Sequence, residues 1–136
     1  MTVTATARPT GVPGYSESLP RTPESVATAR RLVRTALATW RLEQLADEGA
    51  LIASELVTNA VQHARSSAIR VSVTRPEPAS VRIAVVDKSR VEPVRCEANE
   101  DDEGGRGLAL VELLADEWGT DPLPWGKRVW AELVAP

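Results

Sequence analysis

The sequence predicts an α+β fold: a two-layer α/β sandwich with helices on one face of a mostly antiparallel mixed sheet. Three observations carry that prediction. Segments 24–40 and 43–64 place apolar residues at helical spacing. Segments 69–74 and 80–87 alternate apolar and polar residues on either side of a Pro-containing connection, as an antiparallel hairpin with one buried face does. The order along the chain is helix, helix, hairpin, long loop, helix, hairpin, which stacks helices against a sheet rather than alternating them with parallel strands.

Each element has its own signal. Residues Met1 to Gly14 are rich in Thr, Ala, Pro and Gly, have little to bury, and read as a flexible tail before a single domain spanning 15–136. Tyr15 to Leu19 reads as a short edge strand ended by Pro20. Thr22 then reads as a helix cap, with Pro23 at the first helical position and Glu24 and Ser25 after it. Val26, Ala29, Leu32, Val33, Ala36 and Leu37 give that helix its apolar stripe, and Arg30, Arg31 and Arg34 its solvated face. In the second helix Gly49 costs ~1 kcal/mol relative to Ala and predicts a kink or a close contact. Ile69, Val71 and Val73 form one apolar strand face; Val81, Ile83 and Val85 form its partner. From Lys88 to Glu103 the apolar pattern stops, and a loop this long in a small domain is functional or disordered. A helix begins after Gly104-Gly105-Arg106-Gly107 with Leu108, Ala109, Val111, Leu113 and Leu114. Trp118-Gly119-Thr120 starts a strand, Trp125-Gly126 makes a turn, and Val129 to Val134 form the last strand.

Composition narrows the function classes. With 136 residues, 43% hydrophobic and 26% charged, the chain has the balance of one soluble globular domain. Its net charge of -3 and scattered arginines give no footprint for nucleic acid. One cysteine, Cys96, allows no internal disulfide, and together with the lone His63 it falls short of a zinc ligand set. There is no apolar run of about 18 residues and no leader pattern. A cytoplasmic location with no membrane association is therefore expected.

Chemistry concentrates in three places. The first is Glu55-Leu56-Val57-Thr58-Asn59-Ala60-Val61-Gln62-His63-Ala64. At ~100° per helical residue, Glu55 and Asn59 share one stripe, with Gln62 beside them and the other sides apolar. A carboxylate can take a proton from a nucleophile, and an amide oxygen can ligate a hard cation such as Mg2+. Alone, the stripe reads first as a solvated polar face, and His63 as a packing or capping residue. The second is Asp87, at the end of a buried strand. Its carboxylate can accept a hydrogen bond from an exocyclic amino group, or simply form a turn. The third is the glycine run 104–107 opening a helix. There, close-approaching backbone N–H groups and the helix dipole suit a phosphate, although a hinge would use the same residues.

Taken together and in this order, the three stretches resemble the Bergerat-type (GHKL) ATPase family of histidine kinases and gyrase. The resemblance is strongest to the small anti-sigma-factor serine kinases and their actinomycete relatives, and runs from about Tyr15 to Val134. Glu55 to Ala64 resembles the family's N-box, Val85-Val86-Asp87-Lys88-Ser89 its adenine-binding box, and Gly105-Arg106-Gly107-Leu108 its phosphate box. The resemblance implies a Bergerat-type ATP-binding fold and the cofactors ATP and Mg2+. It implies that Asn59 holds the metal, Glu55 is the base for a serine hydroxyl, and Asp87 binds the adenine amino group. Gly105, Gly107 and Leu108 belong to the phosphate seat, Arg106 reaches toward the transferred phosphoryl group, and residues 90–103 form a lid. The acidic residues Glu97, Glu100, Asp101, Asp102 and Glu103 favour an open lid before ATP arrives, or are only a solvated loop. The implied partners are a sigma factor, a small STAS-like antagonist phosphorylated on serine, and a second copy of the chain in a homodimer built through the sheet or first helix.

Departures from the family pattern are also visible. Lys88-Ser89-Arg90 comes after the aspartate where the wider superfamily has glycine-rich spacing, in keeping with the anti-sigma branch. Arg128 stands where relatives commonly carry a Thr near adenine, which predicts a long cation at the base. Two readings fit the residues: a serine kinase, favoured by the presence of both Glu55 and Asn59, and an ATP-gated or nucleotide-independent binding module without phosphoryl transfer. A third, the ATPase half of a sensor kinase, lacks a phosphoacceptor-histidine helix in this sequence.

Overall fold

Alternation in 69–74 and 80–87 becomes the centre of the sheet. The computed structural model describes residues 4–7, 13–87 and 108–136. Its strands are β1 (Thr4–Ala7), β2 (Pro13–Pro20), β3 (Ala68–Thr74), β4 (Ser80–Asp87), β5 (Glu117–Leu123) and β6 (Gly126–Val134). They form one sheet in the order β1-β2-β3-β4-β6-β5, and every described pairing is antiparallel. Helices α1 (Glu24–Thr39) and α2 (Ala46–His63) cover one face, α1 against β2 and β3 and α2 against β4 and β6. Residues 108–114 are helical and are held to the core by the fully buried Val111. The expected α+β two-layer sandwich is the observed architecture.

Register explains which side chains are inside. Tyr15, Val73 and Ile83 lie side by side, as do Leu19, Ile69 and Asp87, and Asp87 in turn pairs with Lys127. Val71, Val73, Val81, Ile83 and Val85 are each at most 2% exposed, so each contributes ~1.5–3 kcal/mol of burial. The same parity sends Arg70, Arg82, Arg128 and Trp130 to the face without helices. There Arg82 stacks on the Trp130 ring at 4.1 Å, and Arg128 is paired with Asp121 at 3.0 Å.

Several expectations are corrected. Residues expected in the tail form β1, and Pro13 and Gly14 belong to β2. Consequently the first half of β2, to Ser16, lies between β1 and β3, whereas Glu17–Pro20 pairs with β3 alone among the described residues, as the expected edge strand does. Backbone ladder bonds make this pairing, and they leave no apolar signature. Thr22 does not cap α1 through its side chain. Ser25 instead donates its hydroxyl to the Pro20 carbonyl at 2.6 Å. The second helix starts at Ala46, after a 3₁₀ turn over Glu43–Leu45. Gly49 makes a close contact: a Cβ there would sit 3.1 Å from Val33 Cγ1 and 3.2 Å from Leu37 Cδ1.

Two local devices fix the helix ends. α1 ends with Arg41 in the left-handed region at φ 61°, Leu42 N–H on the Leu37 carbonyl at 2.8 Å, and Arg41 N–H on the Ala38 carbonyl at 3.1 Å. This is a Schellman cap, closed by the buried Leu37 and Leu42. At the end of α2, Arg21 donates to the Val61 and Ser66 carbonyls at 3.1 and 2.7 Å. A cation there satisfies otherwise orphaned helix carbonyls and anchors the connection to β3.

Candidate functional site

Three elements build the candidate site. On α2, Asn59 and His63 are one turn apart on the face turned toward the ends of β4 and β6. Asp87 is the last residue of β4, and Lys127 faces it across the ladder from β6. These four polar side chains line one narrow cleft, whose apolar wall includes Leu56, Ala60, Val85 and Val129. Asn59 and Asp87 are 28 positions apart in sequence and meet here because α2 crosses the helix-facing side of β4.

Burial sets the chemistry of the cleft. Asp87 is 5% exposed and accepts a hydrogen bond from Ser66 Oγ at 3.3 Å, longer than usual for a hydroxyl donor. Ser66 also donates to the Ala68 carbonyl at 2.8 Å, so Asp87 shares its donor. Lys127 and Asp87 do not form an ion pair among the described residues. His63 Nε2 is buried and has no hydrogen-bond partner among the described residues. His63, expected to pack or cap, lines the cleft and carries an unsatisfied ring nitrogen among the described residues. The site combines a carboxylate with spare acceptor capacity, an amide, an unpaired imidazole nitrogen and an ammonium group, above an apolar wall. Such a set suits a flat, amine-bearing ring followed by negative charge.

The remaining sequence-predicted residues do not line this cleft. Glu55 is half-buried one turn before Asn59 and stands outside the lining. Leu108 packs against the core at the start of the helical segment 108–114 and is also outside it. Gly105, Arg106, Gly107 and the lid 90–103 lie outside the described residues. Arg128, expected near the base, is directed to the opposite face of the sheet, where its Nε and a terminal nitrogen both donate to Asp121. The cation that reaches the cleft is its neighbour Lys127. Sequence reasoning missed Lys127; once β6 is paired with β4, the parity of 127 with Asp87 finds it.

A family model described as a histidine kinase-like ATPase domain matches residues 19–132. The chain belongs to that family. The match takes in α1, α2, all of β3 to β5 and nearly all of β6, so both walls of the cleft lie inside it. No individual curated protein matches the chain. Membership in the histidine kinase-like ATPase family implies ATP binding, typically with Mg2+. The donor set fits that ligand: buried Asp87 needs a better donor than Ser66, and Asn59 offers a hard-cation oxygen in the same cleft. The free volume between the lining side chains is about 10 Å³, room for about one water and far below the ~300–1,000 Å³ usual for ligand sites. Among the described residues no helix is long and apolar enough to cross a membrane.

Proposed function

We propose that this kinase-like ATPase domain is an ATP-dependent serine kinase. In this reading it acts as an anti-sigma factor and phosphorylates a small STAS-like antagonist. The observation that carries the reading is the convergence of Asn59 and Asp87, from α2 and β4, on one cleft with His63 and Lys127. Asp87 receives the adenine amino group, and Asn59 holds Mg2+. Bound ATP supplies the phosphoryl group, and the metal neutralises charge on its phosphates. Glu55 accepts the proton from the incoming serine hydroxyl, one helical turn from the metal ligand. Gly105, Gly107 and Leu108 seat the phosphates, and Arg106 stabilises the charge that develops on transfer. The sigma factor, the antagonist and a second copy of the chain are the partners of this reading, and the cytoplasm is its compartment.

One observation favours a second reading. Glu55 is not part of the cleft wall, so the domain could bind ATP as a switch without transferring its phosphate. Incubation with labelled ATP, Mg2+ and candidate antagonists separates the two. Label on a partner serine, lost in Glu55→Ala, supports the kinase. Tight ATP binding with no transfer to any antagonist that binds supports the switch.

A further inference from the structure

A second and larger groove, of about 600 Å³, lies between β2 and the start of α1. It contains neither Asn59 nor Asp87, and its chemistry is independent of the nucleotide reading. Alternation along β2 turns Tyr15, Glu17 and Leu19 toward the helices, level with Val73, Val71 and Ile69. Two of these three positions carry the expected large apolar or aromatic side chain. The third carries a carboxylate that is 7% exposed, and its Oε1 is buried with no hydrogen-bond partner among the described residues. Burying a carboxylate oxygen unpaired is unfavourable, because water solvation is lost and nothing replaces it.

The described cations near this groove are committed elsewhere. Arg21 donates to the Val61 and Ser66 carbonyls. Arg70, on the rim, donates to Ser16 Oγ at 2.9 Å. Neither forms an ion pair with Glu17. A second carboxylate, Glu24, lines the same groove, with Thr22 and Thr28 beside it as neutral hydroxyl groups. Ser25 also lines it but has spent its hydroxyl proton on the Pro20 carbonyl. Among the described residues no cluster of three His, Cys, Asp or Glu side chains could hold a metal ion. An organic cation with N–H donors is the complement of two carboxylates and two neutral hydroxyl groups.

We propose that this groove binds a guanidinium or alkylammonium group, presented as the basic side chain of a partner protein, with Glu17 as its anchoring carboxylate. A long basic side chain fits the site on three counts. Its charged head complements the Glu17 carboxylate, its stem can lie along Leu19, and Glu24 adds favourable charge at the mouth.

The test is a titration of the isotopically labelled full chain with N-acetyl-arginine amide, monitored by NMR. N-acetyl-citrulline amide, its neutral isostere, serves as the control. Saturable shifts at the amides of Glu17, Ser25 and Thr28 are expected with the arginine compound and not with citrulline. Glu17→Gln should weaken binding at least about tenfold, while its melting temperature stays equal to or above the native value. Glu24→Gln, at an exposed position, should weaken it less. Three results would overturn the proposal: no localised shifts at tens of millimolar arginine compound, equal response to citrulline, or unchanged affinity in a folded Glu17→Gln protein. Spermidine binding at least about tenfold tighter than the arginine compound would assign the groove to a free polyamine and overturn the protein-side-chain reading. Adding ATP to the same sample reports the nucleotide cleft separately, so failure at one site is distinguishable from failure at the other.

Discussion

Replacing Asp87 with Asn separates ligand binding from folding. The native carboxylate is 5% exposed and its one described hydrogen bond, from Ser66 Oγ, is 3.3 Å long. Asn has nearly the same shape and no charge, so it relieves the desolvation of an incompletely paired group. The unliganded variant should be as stable as the native protein, or more stable by about 1 kcal/mol. Nucleotide binding should respond in the opposite direction. A hydrogen bond from the adenine amino group to a carboxylate is worth ~1.5–3 kcal/mol, which corresponds to a loss of about 10- to 150-fold in ATP affinity. Calorimetric titration with ATP and ITP tests the assignment, because ITP lacks the amino group. The native protein should prefer ATP by about the same factor, and the preference should shrink in Asp87→Asn. Unchanged ATP affinity in a folded variant, or an undiminished preference for ATP over ITP, would refute the role given to Asp87.

Other perturbations address the remaining parts. Asn59→Ala should abolish the gain in ATP affinity that Mg2+ provides and leave metal-free binding nearly unaltered, as read by titration with and without the metal. Glu55→Gln should preserve ATP binding and lower phosphoryl transfer to an antagonist by ~10²–10⁴, measured by label incorporation. Arg128→Ala should leave ATP affinity unchanged. Its ion pair with Asp121 is about two-fifths exposed on both sides, and its loss should cost under about 1 kcal/mol in denaturant melts. Gly49→Ala should lower stability despite its better helix propensity. The added methyl meets Val33 and Leu37 at 3.1 and 3.2 Å, both fully buried, and ~1–3 kcal/mol of overpacking outweighs the ~1 kcal/mol gain.

What the sequence makes legible is what side-chain pattern controls. The β3–β4 hairpin comes from strict alternation of Val and Ile, and α1 from its apolar stripe. Asn59 and Asp87 are visible because their chemistry stands out against apolar surroundings. What was not legible depends on pairing. β1 forms through backbone bonds from Thr4–Ala7, whose composition signals nothing. Lys127 and Arg128 are adjacent cations, and only the register of β6 against β4 decides which one reaches the cleft. Glu17 looks like an ordinary polar residue until the register of β2 against β3 turns its odd-numbered side chains inward.

If this domain uses ATP as a kinase or as a switch, α2 and the end of β4 must serve one nucleotide. Amide shifts on adding ATP and Mg2+ to the labelled protein test that requirement most directly. Asn59, His63, Asp87 and Lys127 should respond together, on a single saturation curve. Shifts confined to α2 or to β4 alone, or none at millimolar ATP, would contradict it.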